Sequence, residues 1–146
     1  MPHLTIPIHA VQGPLIELVV GVSLPRATAL KATGVEPPSP VTVKFLVDTG
    51  ASSTVLDENA IAPLKLVPTG QAWVNSPTTG AIPESRFQYD IGLMLYHVDN
   101  SRFFQNLPII ATDFSSQKIG GLLGRDILSK WLLVYNGPGD RFALAF

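Results

Sequence analysis

The apolar residues of this chain fall into short β-rich runs divided by Gly, Pro, Asn and Asp turns, with little helical spacing. Residues 5–11 alternate loosely and predict a first strand, ended by Gln12-Gly13-Pro14. Residues 15–22 form a continuous β-rich run and predict a second. Residues 24–40 lose the pattern: Pro25, Pro37, Pro38, Pro40 and Gly34 predict a proline-rich surface loop. Residues 43–47 then give an apolar run that reads as a strand buried on both faces. Residues 53–56 predict a short strand, and 57–61 one helical turn capped by Asp57 and stopped by Pro63. Residues 64–67 read as extended. Apolar arms around a Ser-Pro-Thr-Thr-Gly tip predict a hairpin over residues 71–83, with Trp73 as its core anchor. Two longer strands, 87–97 and 103–111, flank the turn Asp99-Asn100-Ser101. Residues 126–131 read as a brief helix, and 132–135 with 142–146 as a last hairpin. The expectation is one all-β, closed, barrel-like domain over residues 1–146, with one short C-terminal helix.

Composition narrows the function. A net charge of −1 with 14% charged residues argues against nucleic acid or an anionic membrane as partner. Hydrophobic residues make up 46% and the mean hydropathy is +0.28, so some apolar surface is expected to be buried against a partner. No cysteine is present, which excludes thiol catalysis, disulfides and cysteine-bound metals. His3, His9 and His97 show no ligand spacing, so no metal and no cofactor are expected. No apolar run is long enough to cross a membrane as a helix. Residues 15–24 are nearest to a leader, but they carry Glu17 and lack a basic segment ahead, so a cytoplasmic location is expected.

The chemistry concentrates in Val43-Lys44-Phe45-Leu46-Val47-Asp48-Thr49-Gly50-Ala51-Ser52-Ser53. A strand that ends in Asp-Thr-Gly delivers a carboxylate, and Gly50 lets the backbone turn tightly beneath it. Thr49 carries a hydroxyl able to donate to nearby backbone, and the N–H groups of Gly50 and Ala51 are available to orient Asp48. An acid pinned in this way is equipped for proton transfer. The plainer alternative is an ordinary turn, since Asp and Gly are favoured turn residues.

A second segment, Ile119-Gly120-Gly121-Leu122-Leu123-Gly124-Arg125-Asp126-Ile127-Leu128, decides between them. Together the two segments resemble the retroviral-type (retropepsin-like) aspartic proteases, a group with bacterial members. There the acid loop is followed, most of a domain later, by an apolar-apolar-Gly-Arg-Asn/Asp-x-Leu segment. The resemblance spans residues 15–146. It implies an aspartic endopeptidase in which Asp48 is catalytic and Thr49 and Gly50 position it. Gly124, Arg125 and Asp126 would be structural support. The hairpin at 71–83 would be the flap that folds over bound peptide, with Ala51, Ser52, Ser76, Thr78, Thr79, Gly80 and Ile82 as substrate contacts.

Aspartic proteolysis needs two carboxylates sharing one proton, because like charges that close do not both ionise. Asp57, Asp90, Asp99, Asp113, Asp126 and Asp140 lie in no second Asp-Thr/Ser-Gly setting, so the partner acid must come from another copy. A homodimer acting on an extended peptide is the expectation. The family joins its protomers partly through interleaved terminal strands, for which the candidates are residues 4–8 and 142–146; the alternative is that these ends pair within one chain. One departure stands out. Retroviral members carry an aspartate where this chain has Ser52, and that aspartate pairs with the arginine matching Arg125. Arg125 is therefore expected to brace the acid loop through a backbone carbonyl or Asp57. Competing readings are a non-catalytic dimerisation or peptide-binding module on the same fold, and a ligand-carrying β-barrel, which leaves Gly124-Arg125-Asp126 unexplained.

Overall fold

The computed structural model describes residues 1–75, 80 and 82–146, and among these it has ten strands and three short helices. In order they are β1 (His3–Pro7), β2 (Leu15–Val22), α1 (Leu24–Ala32), β3 (Val41–Val47), β4 (Val55–Asp57) and α2 (Glu58–Ile61). A 3₁₀ turn (Ala62–Leu64), β5 (Gly70–Val74), β6 (Glu84–Leu95) and β7 (Arg102–Thr112) follow. Last come β8 (Gly121–Leu123), α3 (Arg125–Leu128), β9 (Leu132–Asn136) and β10 (Arg141–Ala145).

Six of the strands close on themselves in the order β2-β3-β8-β4-β7-β6, with β6 returning to pair β2. Closure removes the open edges that an isolated sheet would present. The alternation of β3 shows how the wall works. Val43, Phe45 and Val47 point inward and are buried, while Thr42 and Lys44 face water. The strand is thus buried on one face along its first half, not on both. Val20, Phe45, Leu56, Ile91 and Leu123 are fully enclosed, and burying each such side chain contributes about 1.5–3 kcal/mol.

The long strand β6 bends to serve two neighbours. Its first part, Glu84 to Gln88, pairs with β5, and its later part, Ile91 to Met94, pairs with β2. The register against β7 slips between Ile91 and Leu93, a bulge that turns the strand. Gly92 sits at the slip opposite Gly21, where an added Cβ would lie 2.9 Å from the Val22 carbonyl oxygen. β5 is attached to the barrel through β6 alone, so the β5–β6 hairpin projects from the wall. Its tip carries the predicted contacts Ser76, Thr78 and Thr79, which lie outside the described residues.

Several expectations need correction. Residues 24–40 are not all loop, because α1 occupies the first half. Pro25 reads as a breaker, yet in the first helical turn its missing N–H costs nothing. Ser23 caps the helix by accepting from the Arg26 N–H at 3.3 Å, and Ala27, Ala29, Leu30 and Lys31 are good helix formers. Residues 62–64 form a 3₁₀ turn that buries Leu64, and Lys65 ends it in a left-handed conformation (φ 49°). Asp57 heads α2 without a side-chain cap; its Oδ1 accepts instead from the Phe114 N–H at 3.2 Å. Trp73 is 75% exposed and anchors no core.

The terminal strands form a second, three-stranded antiparallel sheet ordered β1-β10-β9. Ile6 lies opposite Phe142, and Leu4 opposite Leu144. Phe142, Leu144 and Phe146 are buried beneath the sheet. β1 and β10 are therefore each other's partners within one chain.

At Gly121 the wall leaves no room for a side chain, because a Cβ would meet the Val55 carbonyl oxygen at 2.4 Å. Gly121→Ala should lower the unfolding free energy by about 1–3 kcal/mol in urea denaturation, as overpacking against backbone does. Gly70→Ala, with open space around its Cβ, should change it by less than about 0.5 kcal/mol.

Candidate active site

Asp48 stands at the end of β3, where the parallel neighbour β8 also ends. Its N–H donates to the Leu123 carbonyl at 3.0 Å, so the sheet ladder runs right up to the acid. Beyond that point the two chains of backbone emerge side by side as the 48–54 loop and the 124–126 segment. Gly124 allows them to touch. A Cβ there would lie 2.5 Å from the backbone carbon and oxygen of Ser53, so any side chain would force the loops apart.

Three sets of hydrogen bonds hold this contact. The Gly50 N–H donates to Asp48 Oδ1 at 2.8 Å, which fixes the carboxylate over its own turn. The Ala51 N–H bonds the Asp48 backbone carbonyl at 3.3 Å rather than the carboxylate. Arg125 provides the second set: its N–H donates to the Ala51 carbonyl at 2.9 Å, and its guanidinium to the carbonyls of Thr49 at 2.8 Å and Gly50 at 3.3 Å. Of the two partners expected for Arg125, backbone carbonyl is the one found, and Asp57 is bonded elsewhere. A cation that neutralises two carbonyl dipoles braces the loop without needing a carboxylate at position 52.

The third set centres on Thr54, which the sequence reading passed over. Its side chain is fully buried. Its hydroxyl donates to Asp126 Oδ1 at 2.8 Å and accepts from the Gly124 N–H at 3.2 Å, while its own N–H donates to Asp126 Oδ2 at 2.9 Å. Asp126 Oδ1 also accepts from the Ile127 N–H at 2.9 Å. The Asp126 carboxylate is thus spent on structure. It is not available as a second proton-transfer group for Asp48.

Other predicted residues are less tightly placed. Asp48 is partly buried, Ala51 likewise, and Thr49, Gly50 and Ser52 are exposed at the loop surface. Among the described residues the Thr49 hydroxyl has no partner; its carbonyl is the atom that is held. Gly80 takes a positive φ of 62° and Ile82 is 76% exposed, both on the β5–β6 hairpin. No hydrogen bond joins the described part of that hairpin to the acid loop. Among the described residues, clefts of about 550, 340 and 390 Å³ lie along α1, α2, the 3₁₀ turn and the outer wall, away from residues 48–54. Elsewhere on the surface, the Ser115 hydroxyl and N–H hold the Asp113 carboxyl below its ordinary range. Among the described residues no group of His, Asp and Glu is arranged to hold a metal, and no helix is long and apolar enough to cross a membrane.

Thr54→Val keeps the volume but strands the buried Gly124 N–H and removes one of the two hydrogen bonds that Asp126 Oδ1 accepts. It should cost about 2–3 kcal/mol of stability in chemical denaturation, with Thr54→Ser losing less than half of that.

Comparison with known proteins places this geometry. The family model for aspartyl proteases matches residues 39–127, which include both the acid loop and the Gly124-Arg125-Asp126 segment. The crystal structure of a retropepsin-like aspartic protease from Rickettsia conorii superposes with a TM-score of 0.60 at 16% identity, covering 99% of this chain and 91% of that one. The EIAV protease complexed with the inhibitor HBY-793 aligns with a TM-score of 0.46 at 15% identity over 84% of this chain and 91% of that one. No curated protein sequence matches. With the family model spanning more than half of its length and a barrel of retropepsin-like fold, this chain belongs to the aspartyl protease family.

Proposed function

We propose that this chain is an aspartic endopeptidase whose active unit pairs Asp48 of two copies across a two-fold axis. The observation that carries this reading is the state of the acids. Asp48 is oriented by a braced loop, while Asp126, the carboxylate of the segment packed against that loop, is bonded to Thr54 and Ile127. A single chain therefore offers one usable acid, and the chemistry requires two.

In the paired site one Asp48 is ionised and its mate protonated, since two adjacent negative charges repel. The ionised carboxylate takes a proton from a bound water as the water oxygen attacks the scissile carbonyl carbon. The protonated carboxyl gives its proton to the carbonyl oxygen, and a tetrahedral gem-diol forms. Collapse of that intermediate returns a proton to the amide nitrogen, and the C–N bond breaks without any covalent enzyme adduct. Gly50 holds the carboxylate through its N–H, and Thr49, Gly50 and Ala51 are held in turn by Arg125. No cofactor takes part. The water and the two acids carry every proton transfer.

The substrate in this reading is an extended peptide with apolar side chains at the cleaved bond, because few charges are available to line a cleft. The β5–β6 hairpin acts as the flap, shielding the reacting carbonyl from bulk water, with Gly80 and Ile82 facing the peptide. Ser76, Thr78 and Thr79 at the tip are proposed as further contacts, together with Ala51 and Ser52 on the loop side.

Digestion of a mixed peptide library over a range of pH, with and without pepstatin, tests the reading. Pepstatin-sensitive cleavage with a bell-shaped pH profile is expected, as two coupled acids impose. Asp48→Asn should abolish cleavage, by at least about 10³-fold, while leaving the far-ultraviolet spectrum and the oligomeric state unchanged. Undiminished turnover by that variant, or no cleavage by the native chain at any pH, would favour a non-catalytic module on the same fold.

A further inference from the structure

The proline-rich stretch between α1 and β3 takes no part in the acid site, yet it builds a site of its own. Glu36, Pro38, Ser39 and Pro40 each line two clefts, so this segment is a ridge between them. Its three prolines stiffen the ridge, since each fixes its own φ and keeps the residue before it out of the helical region. The larger cleft, of about 550 Å³, is of the size that small organic ligands occupy. Leu30 of α1, Val35 and Pro38 of the ridge, Val41 at the start of β3 and Leu64 of the 3₁₀ turn give it apolar walls. Two cations, Arg26 of α1 and Lys65 after the 3₁₀ turn, line it as well. Among the described residues neither is in an ion pair, although Glu36 lines the same cleft. Glu36 also lines the second cleft, of about 390 Å³, together with Lys31. Three cations therefore share one carboxylate, and the apolar cleft is left with an excess of positive charge. Lys65 gives an independent sign. It ends the 3₁₀ turn in a left-handed conformation (φ 49°, ψ 46°), which glycine adopts with less strain. A lysine there brings charge to the cleft despite that strain.

We propose that this cleft binds an apolar chain that ends in a single carboxylate. The apolar chain lies against Leu30, Val41 and Leu64, and the carboxylate answers the charge of Arg26 and Lys65. A neutral ligand would leave both cations unanswered, and a cationic one would meet two like charges. Two sources supply this chemistry: a free fatty acid, and the C-terminus of a peptide that ends in apolar residues. The second includes the N-terminal product of a peptidase that cuts at apolar residues. The cleft is separate from the acid loop, however, and the inference stands without the protease reading.

Titration calorimetry on the native chain reads binding alone, whether or not the chain cleaves peptide. The probes are octanoate and N-acetyl-leucyl-leucine with a free carboxylate, each compared with its neutral amide. A carboxylate should bind one to one, and its amide at least tenfold more weakly. Binding of octanoate alone would assign the cleft to a fatty acid, binding of the dipeptide alone to a peptide C-terminus, and binding of both to the carboxylate of either. Arg26→Ala falls at an exposed position of α1 and Lys65→Gly suits the left-handed backbone, so neither variant should lower the thermal midpoint. Each should bind the carboxylate at least tenfold more weakly than the native chain. Lys44→Ala, which removes an exposed cation of β3 outside the cleft, should bind as the native chain does. Amides that bind as well as their acids would overturn the proposal. So would undiminished binding by Arg26→Ala and Lys65→Gly, or no binding of either carboxylate at millimolar concentration.

Discussion

A carboxylate at the end of a strand does no useful chemistry unless the backbone around it is stiff. Here the stiffness comes from two loops pressed together at a point where only glycine fits. Gly124 lets its segment lie directly on Ser53, and from that contact the rest follows. Arg125 falls within reach of three successive loop residues, and Asp126 within reach of Thr54. The buried Thr54 hydroxyl donates to Asp126 and accepts from the Gly124 N–H, so one side chain of the acid loop satisfies two polar groups of the segment facing it. Asp48 is then held by one N–H from Gly50 and by the ladder bond to Leu123.

That economy has a consequence for the assembly. The acid loop is braced within its own chain, yet Thr49, Gly50 and Ser52 lie exposed at its surface. A rigid acid on an open surface suits a site that is finished by a second copy. The exposed apolar strand β9 and the low share of charged residues point the same way, because both leave surface that water does not favour.

The stretches at 43–53 and 119–128 were legible because their chemistry is local. A β-rich run, an Asp-Thr-Gly turn and a Gly-Arg-Asp segment each carry their reason in adjacent residues. Thr54 was not, since a threonine entering a strand looks like any β-branched residue until its neighbour 72 positions away is known. A hint lay in Asp126 itself, a carboxylate just inside a helix and needing buried donors. Trp73 misled for the opposite reason. Its size suggests a core, but β5 is paired with β6 at the end of the sheet and Trp73 is left exposed there. The Ser23-Leu24-Pro25 start of α1 was readable as a cap followed by a first-turn proline, and the later prolines obscured it. Whether a terminal strand pairs within its chain or across to another is a matter of topology, and no local pattern in residues 3–7 or 141–145 encodes it.

The central claim is that catalysis needs Asp48 from both chains, and mixing subunits tests it most directly. Native chain and Asp48→Asn chain are unfolded together, refolded in varied proportion at fixed total concentration, and assayed for peptide cleavage. If the site is shared, mixed pairs hold one acid and are inert. Activity then falls as the square of the native fraction, and activity per native chain falls in proportion to it. Activity per native chain that stays constant across all mixtures would show that one Asp48 suffices, and would contradict the account.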